Sequence, residues 1–83
     1  MYSVYIIECE NDKLYTGITT DVERRFQEHL SGKGARFTRI NRPIRVVYSK
    51  ECGDRSTASK EELRIKRLTK AAKLELIKEQ RTV

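Results

Sequence analysis

Two short β-type runs lie within the first 19 residues, separated by only four polar residues. Residues 2–9 (YSVYIIEC) and 14–19 (LYTGIT) are rich in β-branched and aromatic side chains, the composition of strands. Between them, Glu10, Asn11, Asp12 and Lys13 are polar and turn-prone. Runs this close pair naturally as an antiparallel hairpin. The chain beyond must be built around that ribbon.

The register of the ribbon decides what its tyrosines can do. A turn centred on Asn11 sets Tyr5 opposite Gly17 and Ile7 opposite Tyr15, making the two tyrosines diagonal neighbours on one face. A turn centred between Asn11 and Asp12 sends them to opposite faces. A shared tyrosine site requires the first register, or a bulge that restores it. Gly17 opposite Tyr5 would leave room for a substrate backbone to approach.

A helix follows. Residues 20–23 (TDVE) fit a capping box starting at Thr20. Val22, Phe26 and Leu30 recur at four-residue spacing as its expected buried stripe, and Gly32 fits its end. Arg25 and His29, also four apart, share a neighbouring face. Residues 31–42 read as a basic, glycine-containing connection in which Arg36, Arg39, Arg42 and, beyond it, Arg45 recur every third position.

After Pro43, residues 44–51 form a third strand candidate, with Ile44, Val46 and Tyr48 expected on one face and Val47 on the other. Ser56 or Thr57 can cap a second helix whose apolar face is Ala58, Ile65, Leu68 and Ala72. Thr69 can cap a third carrying Ala71, Leu74 and Ile77. With no Gly or Pro between them, one kinked helix is the alternative.

The length of 83 residues fits one domain, residues 1–83, with no repeat or linker. A domain of this size buries about 60–65% of the surface its unfolded chain exposes, so its core is small. The expected architecture is an α/β (α+β) sandwich: a three-stranded antiparallel sheet with helices packed against it. Cys9 and Cys52 are far apart, there is no C-x-x-C, and His29 stands alone, so zinc lacks ligands and the cysteines read as reduced thiols. No apolar run approaches the ~20 residues of a membrane span. The start of the chain carries no basic leader, and the expectation is a soluble cytoplasmic protein with no membrane and no obligate protein partner.

The formal net charge of +6 is uneven: residues 1–35 carry net −2, residues 36–55 net +4 and residues 56–83 net +4. Positive excess on this scale favours a polyanionic partner, nucleic acid first. Lys33, Arg36, Arg39 and Arg42 beside Phe37 suit contact with a phosphate backbone, while a solubilising surface is the plainer reading.

Tyr5 and Tyr15 read first as half-buried strand tyrosines. Their company, Arg25 and His29 on one helix face, raises a functional reading. An arginine offers a forked donor that fits two phosphate oxygens. His29 is otherwise a solvated or capping residue. Glu62 lies four after Ala58 and three before Ile65, which puts a carboxylate on a core-facing stripe. That is costly unless the group is paired, for instance with Arg25, or bound to a metal.

Val4-Tyr5-Ile6 and Tyr15-Thr16-Gly17, about ten residues apart, then D-x-E-R-R-F-x-E-H, resemble the GIY-YIG nuclease superfamily. SGKGARFTR, RPIRVVYSKE and Glu62 ahead of Ile65-Lys66-Arg67-Leu68 resemble its small single-domain bacterial members. The first triplet here is Ser3-Val4-Tyr5 and the second Tyr15-Thr16-Gly17, so both tyrosines and the second glycine remain. The resemblance implies an endonuclease that hydrolyses DNA phosphodiester bonds with one divalent ion, usually Mg2+, and with it a role in DNA repair or processing. Tyr5 would be the general base, Tyr15 would position the water or a phosphate oxygen, and Arg25 would neutralise the transition state. His29 would assist the base and Glu62 would hold the metal. A single glutamate suffices for magnesium, which keeps most of its waters. A phenol with a free pKa near 10 costs about 4 kcal/mol to ionise at pH 7, so nearby positive charge is needed. The alternative expectation is a nucleic-acid-binding module of the same fold that cuts little or not at all.

Overall fold

In the computed structural model, which describes residues 1–81, the opening ribbon is the centre of the molecule. Strand β1 (Tyr2–Cys9) pairs on one side with β2 (Lys13–Thr19) and on the other with β3 (Pro43–Gly53), giving an antiparallel sheet of order β2-β1-β3. Helices α1 (Val22–Leu30) and α2 (Arg36–Ile40) follow β2, and α3 (Arg55–Lys66) and α4 (Lys70–Arg81) follow β3. The expected three-stranded α+β sandwich is what forms. Among the described residues no helix is long and apolar enough to cross a membrane.

The turn chooses between the two registers. Glu10–Asp12 form a single 3₁₀ turn in which Asn11 (φ 62°) and Asp12 (φ 60°) are left-handed, a conformation short polar side chains tolerate. The result is the register centred on Asn11, with Tyr5 opposite Gly17 and Ile7 opposite Tyr15.

Four consecutive β1 residues, Val4 to Ile7, are buried because the strand is central and covered on both faces. Val4 and Ile6 pack with Tyr48, Ile65 and Ile77, flanked by Leu14, Ile18, Val47 and Leu76. On the opposite face Tyr5, Ile7 and Cys9 pack with Tyr15, Val22, Phe26 and Val46. Alternation along β1 thus assigns one face to α3 and α4 and the other to α1 and the tyrosines.

Several local expectations are corrected. Val46 and Tyr48 do not share a face: Ile6 pairs with Tyr48 but Ile7 with Val46, so Val47 is an extra residue. This bulge turns Tyr48 towards Ile65 and Val46 towards Tyr5, and a second register shift, between Glu8 and Cys9, leaves Ile44 without a β1 partner and exposed. The α1 cap is Asp21, whose Oδ1 accepts from the Arg24 amide at 3.1 Å, one residue after the expected Thr20. Leu30 is exposed because α1 stops there. The Gly32 amide donates to the His29 carbonyl and the Lys33 amide to the Glu28 carbonyl, with Gly32 left-handed at φ +82°, a Schellman ending.

The basic connection contains a helix, α2, that its sequence did not announce. Asp54, not Ser56 or Thr57, caps α3, accepting from the Thr57 amide at 2.8 Å. Thr69 does cap α4, through the Ala72 amide at 3.1 Å, so α3 and α4 are two helices and not one kinked one. Leu76 and Ile77 face the core, while Ala71 and Leu74 are exposed. The Gln80 side chain receives the Ser49 amide at 3.2 Å and donates to its carbonyl at 2.7 Å, occupying backbone groups on the outer edge of β3.

Candidate active site

Period-two alternation and the Asn11 turn bring Tyr5 and Tyr15 onto one face, with ring centroids 6.4 Å apart. The fourfold spacing on α1 sends Arg25 and His29 over that face. Tyr5 Oη lies 2.9 Å from His29 Nε2, and the His29 ring meets Tyr15 edge-on at 5.0 Å. His29 is 1% exposed, so it is neither a solvated nor a capping histidine. Gly17 sits opposite, where an added Cβ would stand 2.8 Å from Tyr5 Oη and 3.1 Å from Tyr15 Cε2. The space freed by this glycine is therefore filled by the two phenols and is not left open for a substrate backbone.

Burial raises the Tyr5 phenol to a pKa of about 12, with Tyr15 adding to the rise. Arg25 opposes it by hydrogen bonding and charge, and Glu62 adds a further push upwards. His29 is lowered, first by burial and then by the Arg25 charge, against a small opposing pull from Glu28. Both groups are thus held neutral at pH 7. Arg25 Nη1 donates to Glu28 Oε1 at 2.9 Å, which keeps the Glu28 carboxyl below its usual range. The Arg25 guanidinium also stabilises charge on Tyr5, and its own charged form is strengthened in return.

Glu62 projects from α3 with its side chain 24% exposed, and Lys66 Nζ approaches its Oε2 at 3.4 Å. Its ion-pair partner is thus one turn along its own helix, while Arg25 is taken by Glu28. Glu62 is still the carboxylate whose charge is felt at Tyr5. Among the described residues no group of three or more His, Cys, Asp or Glu side chains could enclose a metal. A lone carboxylate with an open side fits a hydrated magnesium ion and does not fit zinc.

Lys33, Arg36, Arg39 and Arg42 are all exposed, and among the described residues none is in an ion pair. Arg45 differs: its Nε lies 2.8 Å from Glu8 Oε1, in a geometry off-line for a hydrogen bond. Phe37 lies against Tyr15, with centroids 5.8 Å apart, so α2 joins the basic surface to the tyrosine face.

Three residues at the site were not legible beforehand. Thr38 Oγ1 lies 2.7 Å from His29 Nδ1, the Ala35 amide lies 3.4 Å from the same nitrogen, and a Cβ on Gly34 would stand 2.1 Å from it. The signal for Thr38 was a small polar residue inside a basic segment. It carries no weight until α2 is known to fold back on α1.

A family model for the GIY-YIG catalytic domain matches residues 1–75. The chain is similar to UPF0213 protein YhbQ of Escherichia coli K12, 51% identical over 76 residues that cover 92% of this chain and 76% of that protein. It is 54% identical over 70 residues to a UPF0213 protein of Cupriavidus necator, covering 84% of this chain and 76% of that one. Among solved structures, the solution NMR structure of UPF0213 protein BH0048 from Bacillus halodurans covers 94% of this chain and 84% of its own, with 40% identity and a TM-score of 0.59. With both tyrosines, Arg25 and His29 gathered on one sheet face and the sequence matched over most of its length, the chain belongs to the GIY-YIG family.

Proposed function

We propose that this protein is a divalent-metal-dependent endonuclease that hydrolyses DNA phosphodiester bonds. The observation that carries this reading is the gathering of Tyr5, Tyr15, Arg25 and His29 on one sheet face within reach of the Glu62 charge. Tyr5, as phenolate, takes a proton from water. The water oxygen bonds to phosphorus as the bond from phosphorus to the leaving oxygen breaks. Tyr15 positions the water or a phosphate oxygen. Arg25, exchanging Glu28 for substrate, neutralises charge on the phosphate. Glu62 would hold one magnesium ion, which when bound supplies positive charge beside the leaving oxygen. Lys33, Arg36, Arg39 and Arg42 hold the DNA backbone without reading its sequence. A role in DNA repair or processing suits such an activity.

A pKa of about 12 sets the energetic demand: the phenolate costs about 7 kcal/mol at pH 7 before substrate and metal arrive. That cost, together with a Tyr5 side chain 1% exposed, favours a second reading, a nucleic-acid-binding module that seldom cuts. Branched, nicked and single-stranded DNA incubated with and without magnesium separates the two. Cleavage that needs magnesium and is lost in Glu62→Gln while binding persists supports the nuclease. Binding without metal-dependent cleavage in either protein supports the module, and absence of binding at low salt removes both.

A further inference from the structure

We propose that Phe37, with Ile40 beside it on α2, is a stacking subsite for an unpaired nucleobase, so that the strand held at the tyrosine face is single-stranded or locally opened DNA. This rests on the nucleic-acid reading that the nuclease and the binding module share. It adds the part of the ligand that the arginines alone do not account for.

The five residues of α2 make little more than one turn, so each side chain meets a different neighbourhood. Thr38 points inward, 2% exposed, with its hydroxyl 2.7 Å from His29 Nδ1, and this fixes the rotation of the helix. The remaining surface then divides in two. Phe37 and Ile40, three apart, form an apolar half, and Arg36 and Arg39, three apart, form a basic half beside it. Ile40 is 69% and Phe37 37% exposed, and both arginines are exposed.

One side of the Phe37 ring is taken by Tyr15, with centroids 5.8 Å apart. Tyr15 in turn meets His29 at 5.0 Å and Tyr5 at 6.4 Å. Phe37 is thus the solvent-facing end of a row of rings that runs into the tyrosine site.

A phosphate backbone gives no reason for the apolar half. Phosphates are met by guanidinium, ammonium and amide donors, and Phe37 and Ile40 offer them nothing. The bases of an intact duplex present only their edges in the grooves, because their faces lie on one another. An unpaired base presents a flat apolar face, which an aromatic ring receives whatever the base is. Phe37 is already held on its Tyr15 side, so little freedom is lost when a base covers the other. Arg36 and Arg39 have no acidic partner among the described residues and stand where the flanking phosphates of such a strand would pass. That charge complementarity selects a nucleic acid strand over an apolar protein surface, which would bury two unpaired cations.

Fluorescence anisotropy with an oligothymidylate and with a duplex of equal length, at low salt and without divalent metal, tests the subsite independently of cleavage. The parent protein should bind the single strand more tightly. Phe37→Ala should weaken single-strand binding about tenfold or more, leave duplex binding nearly unchanged and leave the salt slope as it was. Phe37→Tyr should retain the parent affinity. Phe37→Leu, which keeps an apolar contact on Tyr15 but no flat face, should behave as Phe37→Ala and so separates lost stacking from lost packing. The chain contains no tryptophan, so Phe37→Trp places one reporter in the subsite, and its emission should be quenched in step with oligothymidylate binding. Binding without quenching, equal affinity for the two DNAs in the parent, or an equal loss on both in Phe37→Ala overturns the subsite and leaves the nucleic-acid reading standing. A dimer in solution that Phe37→Ala dissolves gives this face to a second copy of the chain and also overturns it. Absence of binding to either DNA removes the nucleic-acid reading and the subsite together.

Discussion

Tyr5 and His29 are 24 residues apart in the chain and joined at 2.9 Å through Oη and Nε2. One comes from the central strand and the other from the last turn of α1, so the bond fixes the helix on the sheet as well as the phenol in the site. Tyr5→Phe keeps the ring and deletes the oxygen, leaving a buried imidazole nitrogen without its partner. The expected loss is about 1–3 kcal/mol in urea unfolding. Cleavage should fall by about 10²–10⁴ if Tyr5 is the base. Unfolding unchanged within error would show that the bond holds nothing in place.

Gly17 and Gly34 are tight packing sites on either side of this pair. Gly34→Ala would set a methyl 2.1 Å from His29 Nδ1, and Gly17→Ala one 2.8 Å from Tyr5 Oη. Each should destabilise by about 1–3 kcal/mol through overpacking, with Gly34→Ala the worse because a backbone-borne methyl meets a pinned ring. Gly32→Ala meets no atom within 4 Å, yet its φ of +82° should still make the change unfavourable. Thermal melts of the three variants give the order.

The two central groups titrate with opposite consequences. Tyr5 has a folded pKa of about 12, above its usual 10, so the folded chain keeps that proton longer than the unfolded one. Its contribution is intact below pH 10 and is lost between about 10 and 12, amounting to about 2–3 kcal/mol. His29 is lowered beneath 6.5, so the unfolded chain protonates first and stability drops as pH falls below 6.5. Urea midpoints between pH 5 and 11 should trace both limbs. Cleavage should rise about tenfold per pH unit from 7 to 9, as expected for a base titrating above that range. A flat rate over that interval argues against a tyrosine base.

Arg36 and Arg39 reach solvent without acidic partners among the described residues. If they contact phosphates, the double Arg36→Ala, Arg39→Ala variant should lower the slope of log affinity against log salt by about 2. The loss should be similar on unrelated DNA sequences. An unchanged slope, read by fluorescence anisotropy over a salt series, would move the DNA to another face.

Some of this protein is written locally. Alternation over residues 2–9 narrows the ribbon to two registers, and the spacing of Arg25 and His29 sets both on one helix face. The left-handed turn at Asn11 and Asp12 selects the register that places two phenols on one face. These are short-range consequences of period two in a strand and 3.6 in a helix. Other features depend on segments that meet only after folding. Val47 bulges because the β1 and β3 faces must both be filled, and that turns Val46 away from Tyr48. Glu62 pairs with Lys66 along α3 and Arg25 with Glu28 along α1, and not with each other across the fold. Thr38 becomes part of the site because α2 folds over α1 and buries His29, bringing its hydroxyl within 2.7 Å of His29 Nδ1. Periodicity sets the direction in which a side chain points, but the partners it meets there are set by chain closure over many residues.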